Sequence, residues 1–78
     1  MERVRQMQRI KELRKEKSMN QIALGMELNF SQKIISEYEN GKVEPSITTL
    51  KKLASIFNTS VDYIIEHTDI RQPIDKIA

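Results

Sequence analysis

Residues 29–45 read NFSQKIISEYENGKVEP, and the pattern inside this stretch decides how the chain folds. Ser31 is a good helix N-cap and the Asn-Gly pair at 40–41 is a typical helix stop, so the pattern predicts a helix over residues 32–39. At about 100° per residue, the hydrogen-bonding side chains of this helix share one face and the apolar ones share the other. The polar face holds Gln32, Lys33, Ser36 and Glu37, and the apolar face holds Ile34, Ile35 and Tyr38.

A second short helix is predicted immediately before this one, from Gln21 to Leu28. Asn20 is its expected N-cap, and Asn29 is expected to end it because asparagine tolerates left-handed backbone. Gly25 falls where the two helices would cross, and a small residue there allows their backbones to approach closely. The residues expected to face the interior are Leu24, Leu28, Phe30, Ile35 and Tyr38.

The other segments of the chain also have helical spacing, and together they predict an all-α, five-helix orthogonal bundle. The first helix is expected over residues 4–17. Ser46 is the expected cap of a fourth helix that stops at Asn58, and Ser60 is the expected cap of a fifth helix over residues 61–66. The apolar stripe of the fourth helix consists of Ile47, Leu50, Leu53, Ala54 and Phe57.

Size and composition limit the classes of function. The 78 residues predict one small domain, residues 1–67, followed by a C-terminal tail, residues 68–78. The chain has no cysteine, no apolar run that could cross a membrane and no apolar signal segment, so we expect a cytoplasmic protein. Residues 1–17 carry seven Lys/Arg and three Glu, a local charge of +4, whereas the whole chain carries +2. Such a basic segment either attracts phosphate or forms a solvated helix face.

No sequence pattern typical of catalysis is present. The single histidine, His67, follows the fifth predicted helix, and neither cysteine nor a cluster of carboxylates accompanies it. The two glycines do not form a phosphate-binding loop. We therefore expect that the protein is not an enzyme and that it needs neither a metal nor another cofactor.

The polar face of the helix at residues 32–39 has the side-chain types that read base edges in duplex DNA. Glutamine can bond adenine through both amide atoms, lysine can donate to guanine, and glutamate can accept from the cytosine amino group. The alternative for this helix alone is an ordinary solvated face. The preceding helix favours recognition, because in two short helices joined by a tight turn the second enters the major groove while the first crosses the DNA backbone.

The segment NQIALGMELNFSQKIISEYENGKVEPSITTLKKLASIFNTSVDYI resembles the Xre/Cro-repressor family of helix-turn-helix DNA-binding domains, and IKELRKEK before it is similar to that family's first helix. The resemblance implies a fold of the lambda-repressor-like type, with the helix-turn-helix at residues 21–39 and the recognition helix at residues 32–39. Glu39 is expected to have a structural role, because its carboxylate would repel a DNA phosphate. The residues implied to read bases are Gln32, Lys33, Glu37 and, as a possible fourth, Ser36. Those implied to bind phosphate are Gln21, Ser31, Asn40 and Lys42.

The chain departs from the family pattern at three places. Gly25 replaces the usual alanine, at an expected cost of about 0.5–1 kcal/mol in a helix interior. Asn29 stands where the turn usually has glycine. Ile22 and Met26 are apolar where polar residues are usual, so they either extend the core or form a patch for a partner protein.

Together with the family resemblance, these patterns predict a sequence-specific DNA-binding transcriptional regulator, a repressor that binds double-stranded DNA as a homodimer. Its half-sites would lie about one helical turn, roughly 34 Å, apart. In the tail, Ile70, Ile74 and Ile77 share a helical face and either contact the second copy or fold back on the bundle. The alternative function is an interaction module on the same fold, such as an antitoxin or an adaptor, which would use Ile22, Met26 or the tail. The modest net charge favours that alternative, whereas the polar face and the ENGK segment favour DNA.

Overall fold

The computed structural model describes residues 8–66 and Arg71, and these residues form five helices. The helices are α1 (Gln8–Glu16), α2 (Gln21–Leu28), α3 (Gln32–Glu39), α4 (Ile47–Phe57) and α5 (Val61–Ile64). No strand occurs within the described residues, and the predicted all-α class is confirmed. The helices α2 and α3 pack against each other across a short turn, while α1 contacts α3, α4 and α5.

The helices α2 to α5 begin at the caps that the sequence predicts. In each case a side-chain oxygen accepts a hydrogen bond from the backbone N–H three residues later, at 2.7 Å between Asn20 and Ala23 and at 3.0 Å between Ser60 and Tyr63. Such bonds satisfy amide groups that have no partner inside the helix. The confirmed caps are Asn20, Ser31, Ser46 and Ser60.

The first four helices end next to a residue with left-handed backbone. Asn29 and Asn58, both predicted stops, have φ angles of 61° and 53°. Gly41, the glycine of the predicted Asn-Gly stop, has a φ of 76° just after α3. Ser18, the first residue of the Ser-Met-Asn segment that is predicted to break the first helix, has a φ of 58° after α1. Each of these residues turns the chain sharply, so that the next segment leaves at a steep angle to the helix before it.

Two helices differ from the predicted bounds. Residues 4–7 of the first predicted helix lie outside the described residues, and within them α1 ends at Glu16 rather than at residue 17. The fifth helix ends at Ile64 rather than Glu66, and Glu66 has a non-helical φ of 65°. The segment is rich in β-branched side chains, which lose rotational freedom in a helix, and this accounts for a single turn.

Only Arg71 of the predicted tail belongs to the described part of the chain. His67, the tail isoleucines and the domain boundary at residue 67 therefore stay predictions. The Arg71 guanidinium pairs with Glu16 at 2.5 Å and its central carbon lies 5.5 Å from the centre of the Tyr63 ring. Arg9 lies over the same ring at 4.1 Å. The chain at Arg71 thus contacts both α1 and α5.

All five helices contribute side chains to one hydrophobic core. The predicted inward residues of α2 and α3 are buried, and Phe30 in the turn between them is half-buried with its ring packed edge-on against Tyr38. Ile47 was expected in the stripe of α4 but is exposed, because the helix begins there and the core begins one turn later, at Leu50. The core residues are Ile10, Leu13, Leu24, Leu28, Ile35, Tyr38, Leu50, Leu53, Ala54, Phe57 and Ile64.

Ile22 and Met26 form an exposed apolar pair on α2. Their exposed fractions are 55% and 74%, so the alternative in which they extend the core is wrong. The alternative of a patch for a partner protein remains. Val43 and Ile47 are also exposed apolar side chains, and the sequence pattern did not predict their exposure.

Gly25 lies where α2 meets the turn into α3, and the packing there leaves no space for a side chain. An ideal Cβ atom on Gly25 would lie 2.5 Å from the carbonyl oxygen of Phe30, which is too close for these two atoms. The Gly25 carbonyl also accepts a hydrogen bond from the Phe30 N–H at 2.8 Å, which closes the turn around Asn29. Glycine at this position therefore permits the close approach of α2 and α3 that the sequence predicts.

We expect Gly25→Ala to destabilise the protein by about 1–3 kcal/mol, the usual cost of forcing an extra group into a packed site. Alanine has a higher helix propensity, but that gain of about 1 kcal/mol does not offset a clash with backbone. Urea unfolding measures the effect, with Ser55→Ala at an exposed position of α4 as the control. A more stable Gly25→Ala protein would contradict this prediction, because the turn would then have moved to accept the methyl group.

Candidate nucleic-acid interface

The side chains of α3 divide between a buried face and an accessible face. Ile35 is fully buried and docks the helix on the core. On the opposite side, Gln32 and Lys33 are exposed, and Ser36 and Glu37 are half-buried. The helix therefore presents hydrogen-bonding side chains outward while its other side is held in place.

The four accessible side chains of α3 line one open groove together with two residues that follow the helix. Asn40 and Lys42, both implied phosphate contacts, complete the groove. The groove has a volume of about 340 Å³ and its lining consists of polar and charged residues: Gln32, Lys33, Ser36, Glu37, Asn40 and Lys42. Gln21 and Ser31 are the two site residues from the sequence that do not line it.

The turn after α3 folds Lys42 back toward the helix. The Lys42 N–H donates to the carbonyl of Glu37 at 2.9 Å, and the Gly41 N–H donates to the carbonyl of Tyr38 at 3.2 Å. This is the Schellman arrangement, which needs a left-handed residue at the position that Gly41 occupies. Gly41 therefore positions Lys42 beside the groove.

A chain of hydrogen bonds connects the start of α3 to the interior. The Gln32 Nε2 donates to the Gln21 Oε1 at 3.2 Å, and the Gln21 Nε2 donates to Glu39 Oε1 at 3.1 Å. An amide nitrogen carries two hydrogens, so Gln21 keeps one N–H for another acceptor such as a phosphate oxygen. These bonds fix the orientation of Gln32, the first side chain of the groove.

This chain of bonds ends in a buried ion pair that the sequence interpretation did not predict. The Arg14 Nε donates to Glu39 Oε2 at 2.7 Å, and the Arg14 Nη2 donates to Glu39 Oε1 at 3.2 Å. Arg14 also donates from Nη1 to the carbonyl of Met19 at 2.8 Å. Arg14 is 7% exposed and Glu39 is 3% exposed, so the structural role expected for Glu39 takes the form of a two-bond pair that joins α1 to α3.

The helical spacing of the sequence contains a signal for this pair. Arg14 lies four residues after Ile10, and Glu39 lies four residues after Ile35. Residues four apart share a helix face, so each charge falls on the buried stripe of its helix. A buried charge needs a partner, and the opposite signs on the two helices identify it.

The remaining implied phosphate residues are accessible although each has an internal hydrogen bond. The Ser31 Oγ accepts from the Ile34 N–H at 3.4 Å as the cap of α3. The Asn40 Nδ2 donates to the Ser36 Oγ at 3.3 Å. Both Ser31 and Asn40 are exposed. Each can therefore still reach an outside acceptor.

Neither a metal site nor a membrane-spanning helix occurs in the described part of the chain. Among residues 8–66 and Arg71, no group of His, Cys, Asp and Glu side chains is arranged to hold a metal ion. None of the helices in this same part of the chain combines the length and the apolar composition needed to cross a bilayer.

Several known proteins are similar to this chain. A model of the family described as helix-turn-helix matches residues 10–64, which contain α2 to α5. The chain is 31% identical over 70 residues to the SPbeta prophage-derived uncharacterized HTH-type transcriptional regulator YonR of Bacillus subtilis, covering 90% of this chain and 65% of that protein. It is 33% identical over 66 residues to the Immunity repressor protein of Bacillus phage phi105, covering 83% of this chain and 46% of that protein. It is 34% identical over 62 residues to the ImmF control region 10 kDa protein of the same phage, covering 80% of this chain and 68% of that protein.

The family match coincides with the helices that build the groove. The chain spans about half to two thirds of the length of these relatives. No solved structure matches it significantly. The matched segment and the all-helical fold both agree with the lambda-repressor-like bundle expected from the sequence. The chain belongs to the Xre/lambda-repressor-like helix-turn-helix family.

Proposed function

We propose that this protein is a sequence-specific DNA-binding transcriptional regulator, a repressor rather than an enzyme, that inserts α3 into the major groove of DNA. The observation that carries the proposal is the accessible polar face of α3, whose opposite face is held in the core. Relatives named as a transcriptional regulator and as an immunity repressor support this role. A protein that acts on bacterial or phage DNA works in the cytoplasm, the location expected from the sequence.

In this proposal the accessible side chains of α3 read the major-groove edges of the bases. Gln32 bonds adenine, Lys33 donates to guanine O6 or N7, and Glu37 accepts from the cytosine amino group. The hydroxyl of Ser36 can donate or accept. The bond from Gln32 to Gln21 leaves Gln32 its carbonyl oxygen and one N–H, the two groups that adenine requires.

Four residues would contact the DNA phosphates and so set the orientation of α3 in the groove. Lys42 supplies a positive charge, and the others supply hydrogen bonds. Phosphate contacts give affinity for every sequence and make that affinity depend on salt, whereas base contacts discriminate between sequences. The proposed phosphate residues are Gln21, Ser31, Asn40 and Lys42.

A homodimer is part of the proposal, because one short recognition helix reads only a few base pairs. A dimer of this type binds half-sites about 34 Å apart, which is one helical turn of DNA. The tail isoleucines proposed as dimer contacts, Ile70, Ile74 and Ile77, lie outside the described residues.

Selection from random duplex DNA at one stated salt concentration tests the proposed function directly. We expect enrichment of a palindromic motif with half-sites about 10 base pairs apart, centre to centre. Enrichment of a single half-site would contradict the dimer but not DNA recognition. Recovery of random sequences would contradict sequence-specific binding.

Two alanine replacements separate base reading from phosphate binding. Gln32→Ala should lose about 1–3 kcal/mol of binding free energy on the preferred site and far less on random duplex. Lys42→Ala should weaken binding to both DNAs and lower the salt slope by about one. Titrations at several salt concentrations measure both effects, with the exposed Lys51 of α4 as the matched control in Lys51→Ala. Equal losses on both DNAs for Gln32→Ala would show that Gln32 does not read a base.

The second candidate function is a protein-interaction module, an antitoxin or an adaptor, and the exposure of Ile22 and Met26 favours it. Ile22→Glu should then abolish capture of the partner from cells. Because Ile22 is exposed, the same change should alter the free energy of unfolding by no more than about 0.5 kcal/mol and leave DNA affinity unchanged. Ile47→Glu is the control at another exposed isoleucine. Unchanged capture by the Ile22→Glu protein would exclude this patch as the contact surface.

A further inference from the structure

Glu37 is the single acidic residue among those that line the groove, where its neighbours include Lys33 and Lys42. A carboxylate on a surface that approaches DNA is repelled by the phosphates. In the proposed complex it would also face the base edges, since Glu37 lines the same groove as Gln32. The effect of Glu37 on binding therefore depends on which base edge it meets.

The Glu37 carboxylate has no ion-pair partner within the described part of the chain. Lys33 lies four residues earlier on the same helix face, a spacing that permits a pair, but the two side chains are not joined. The backbone of Glu37 is fixed, because its carbonyl accepts the Lys42 N–H at 2.9 Å. The negative charge is thus neither neutralised nor removed from the groove by another described residue.

Base edges differ in how they meet a carboxylate, which can only accept hydrogen bonds. In the major groove, guanine presents two acceptors and thymine presents an acceptor and a methyl group. Adenine presents a donor beside an acceptor, and cytosine presents a donor alone. Cytosine is therefore the one base whose major-groove edge satisfies a carboxylate without bringing an acceptor against it.

We infer that Glu37 is a specificity-determining residue that admits operators with a cytosine at the base it faces and rejects the other bases by repulsion. The inference rests on the proposed function and adds to it that Glu37 acts by weakening the binding of sequences without this cytosine. Glu37 lowers affinity for DNA in general, and the loss is recovered only where the cytosine amino group is present. Specificity at this position thus comes from a penalty on wrong sequences.

The test compares Glu37→Gln with the wild-type protein by selection from random duplex DNA and by titration of a random duplex at low salt. Glutamine has nearly the same shape but no charge, and it prefers adenine. We expect one cytosine position of the motif to relax or change to adenine, with discrimination there falling by about tenfold or more. Affinity for random duplex should rise by about fivefold, the factor expected for removing one unit charge near a phosphate.

Glu44→Gln is the matched control, because Glu44 is exposed, lies outside the groove and carries the same charge. Its motif should be that of the wild-type protein. Glu37→Ala is a second variant, used if thermal unfolding shows that Glu37→Gln is not folded, and it should relax the same position. This inference alone would be overturned if the Glu37→Gln protein selected the wild-type motif. It would also be overturned if Glu44→Gln relaxed the motif as much as Glu37→Gln does. A wild-type protein that selects no motif would overturn the proposed function and this inference with it.

Discussion

Glu39→Ala is expected to lower the free energy of unfolding by about 3–5 kcal/mol, because it leaves the Arg14 guanidinium buried without its partner. The pair is held by two hydrogen bonds, at 2.7 and 3.2 Å, and joins α1 to α3. A domain of this size has a total stability of roughly 4–12 kcal/mol at ordinary per-residue values. The loss therefore removes a large part of it, and urea unfolding of the purified protein measures it.

Two further variants separate the cost of an unpaired charge from the value of the pair. Glu44→Ala removes an exposed carboxylate and should change stability by no more than about 0.5 kcal/mol. Replacing Arg14 and Glu39 together by methionine should recover most of the lost stability, because apolar residues of similar size often replace a buried pair without loss. A loss below about 1 kcal/mol for Glu39→Ala would mean that the pair is solvated.

Replacing Arg14 and Glu39 together by methionine has a second consequence, at the groove. Glu39 accepts the hydrogen bond from Gln21, which in turn accepts from Gln32. In the double methionine protein the fold is kept but this chain of bonds is lost. We therefore expect that protein to fold and to bind its preferred site less tightly than the wild-type protein does.

Ile35→Ala is expected to lower the free energy of unfolding by about 2–5 kcal/mol, the usual cost of truncating a fully buried isoleucine. Ile35 is 0% exposed and lies on the face of α3 opposite the groove. The reason for the cost is the loss of apolar contacts together with the cavity that remains. Denaturant unfolding checks the size of the effect.

Ile22→Ala is the matched control for this prediction, since it makes the same chemical change at an exposed position. Its effect should stay within about 0.5 kcal/mol. The folded Ile35→Ala protein should select the same DNA motif as the wild-type protein, because the groove side chains are unchanged. A cost for Ile35→Ala as small as that for Ile22→Ala would show that α3 is not docked on the core in solution.

Local chemistry made the bounds of most helices predictable. Asn20, Ser31, Ser46 and Ser60 cap their helices through contacts only three residues long, so neighbours in the sequence suffice to identify them. The inward set was predictable for the same reason, because helical periodicity places Leu24 and Ile35 on one side of their helices. The end of α5 was not, since a single turn with β-branched residues gives a weak periodic signal.

The candidate site was predictable in its membership but not in its connections. The polar residues of α3 were identified because they share one face, and the structure brings them together with Asn40 and Lys42 in one groove. The bonds that hold Gln32 and Gln21 were not, because they join residues 11 and 18 positions apart. The exposure of Ile22 and Met26 also depended on which neighbours reach α2, and periodicity alone left both alternatives open.

The sequence by itself determined that the chain forms helices with defined caps, that the second and third make a helix-turn-helix, and that one face of the third is polar. These properties depend on residues within one or two turns of each other. Only the tertiary structure decided that Arg14 meets Glu39, that Gly25 has no space for a side chain, and that Ile22 faces solvent. Each of these depends on contacts between separate elements, whose relative positions are set by the packing of the whole core rather than by local spacing.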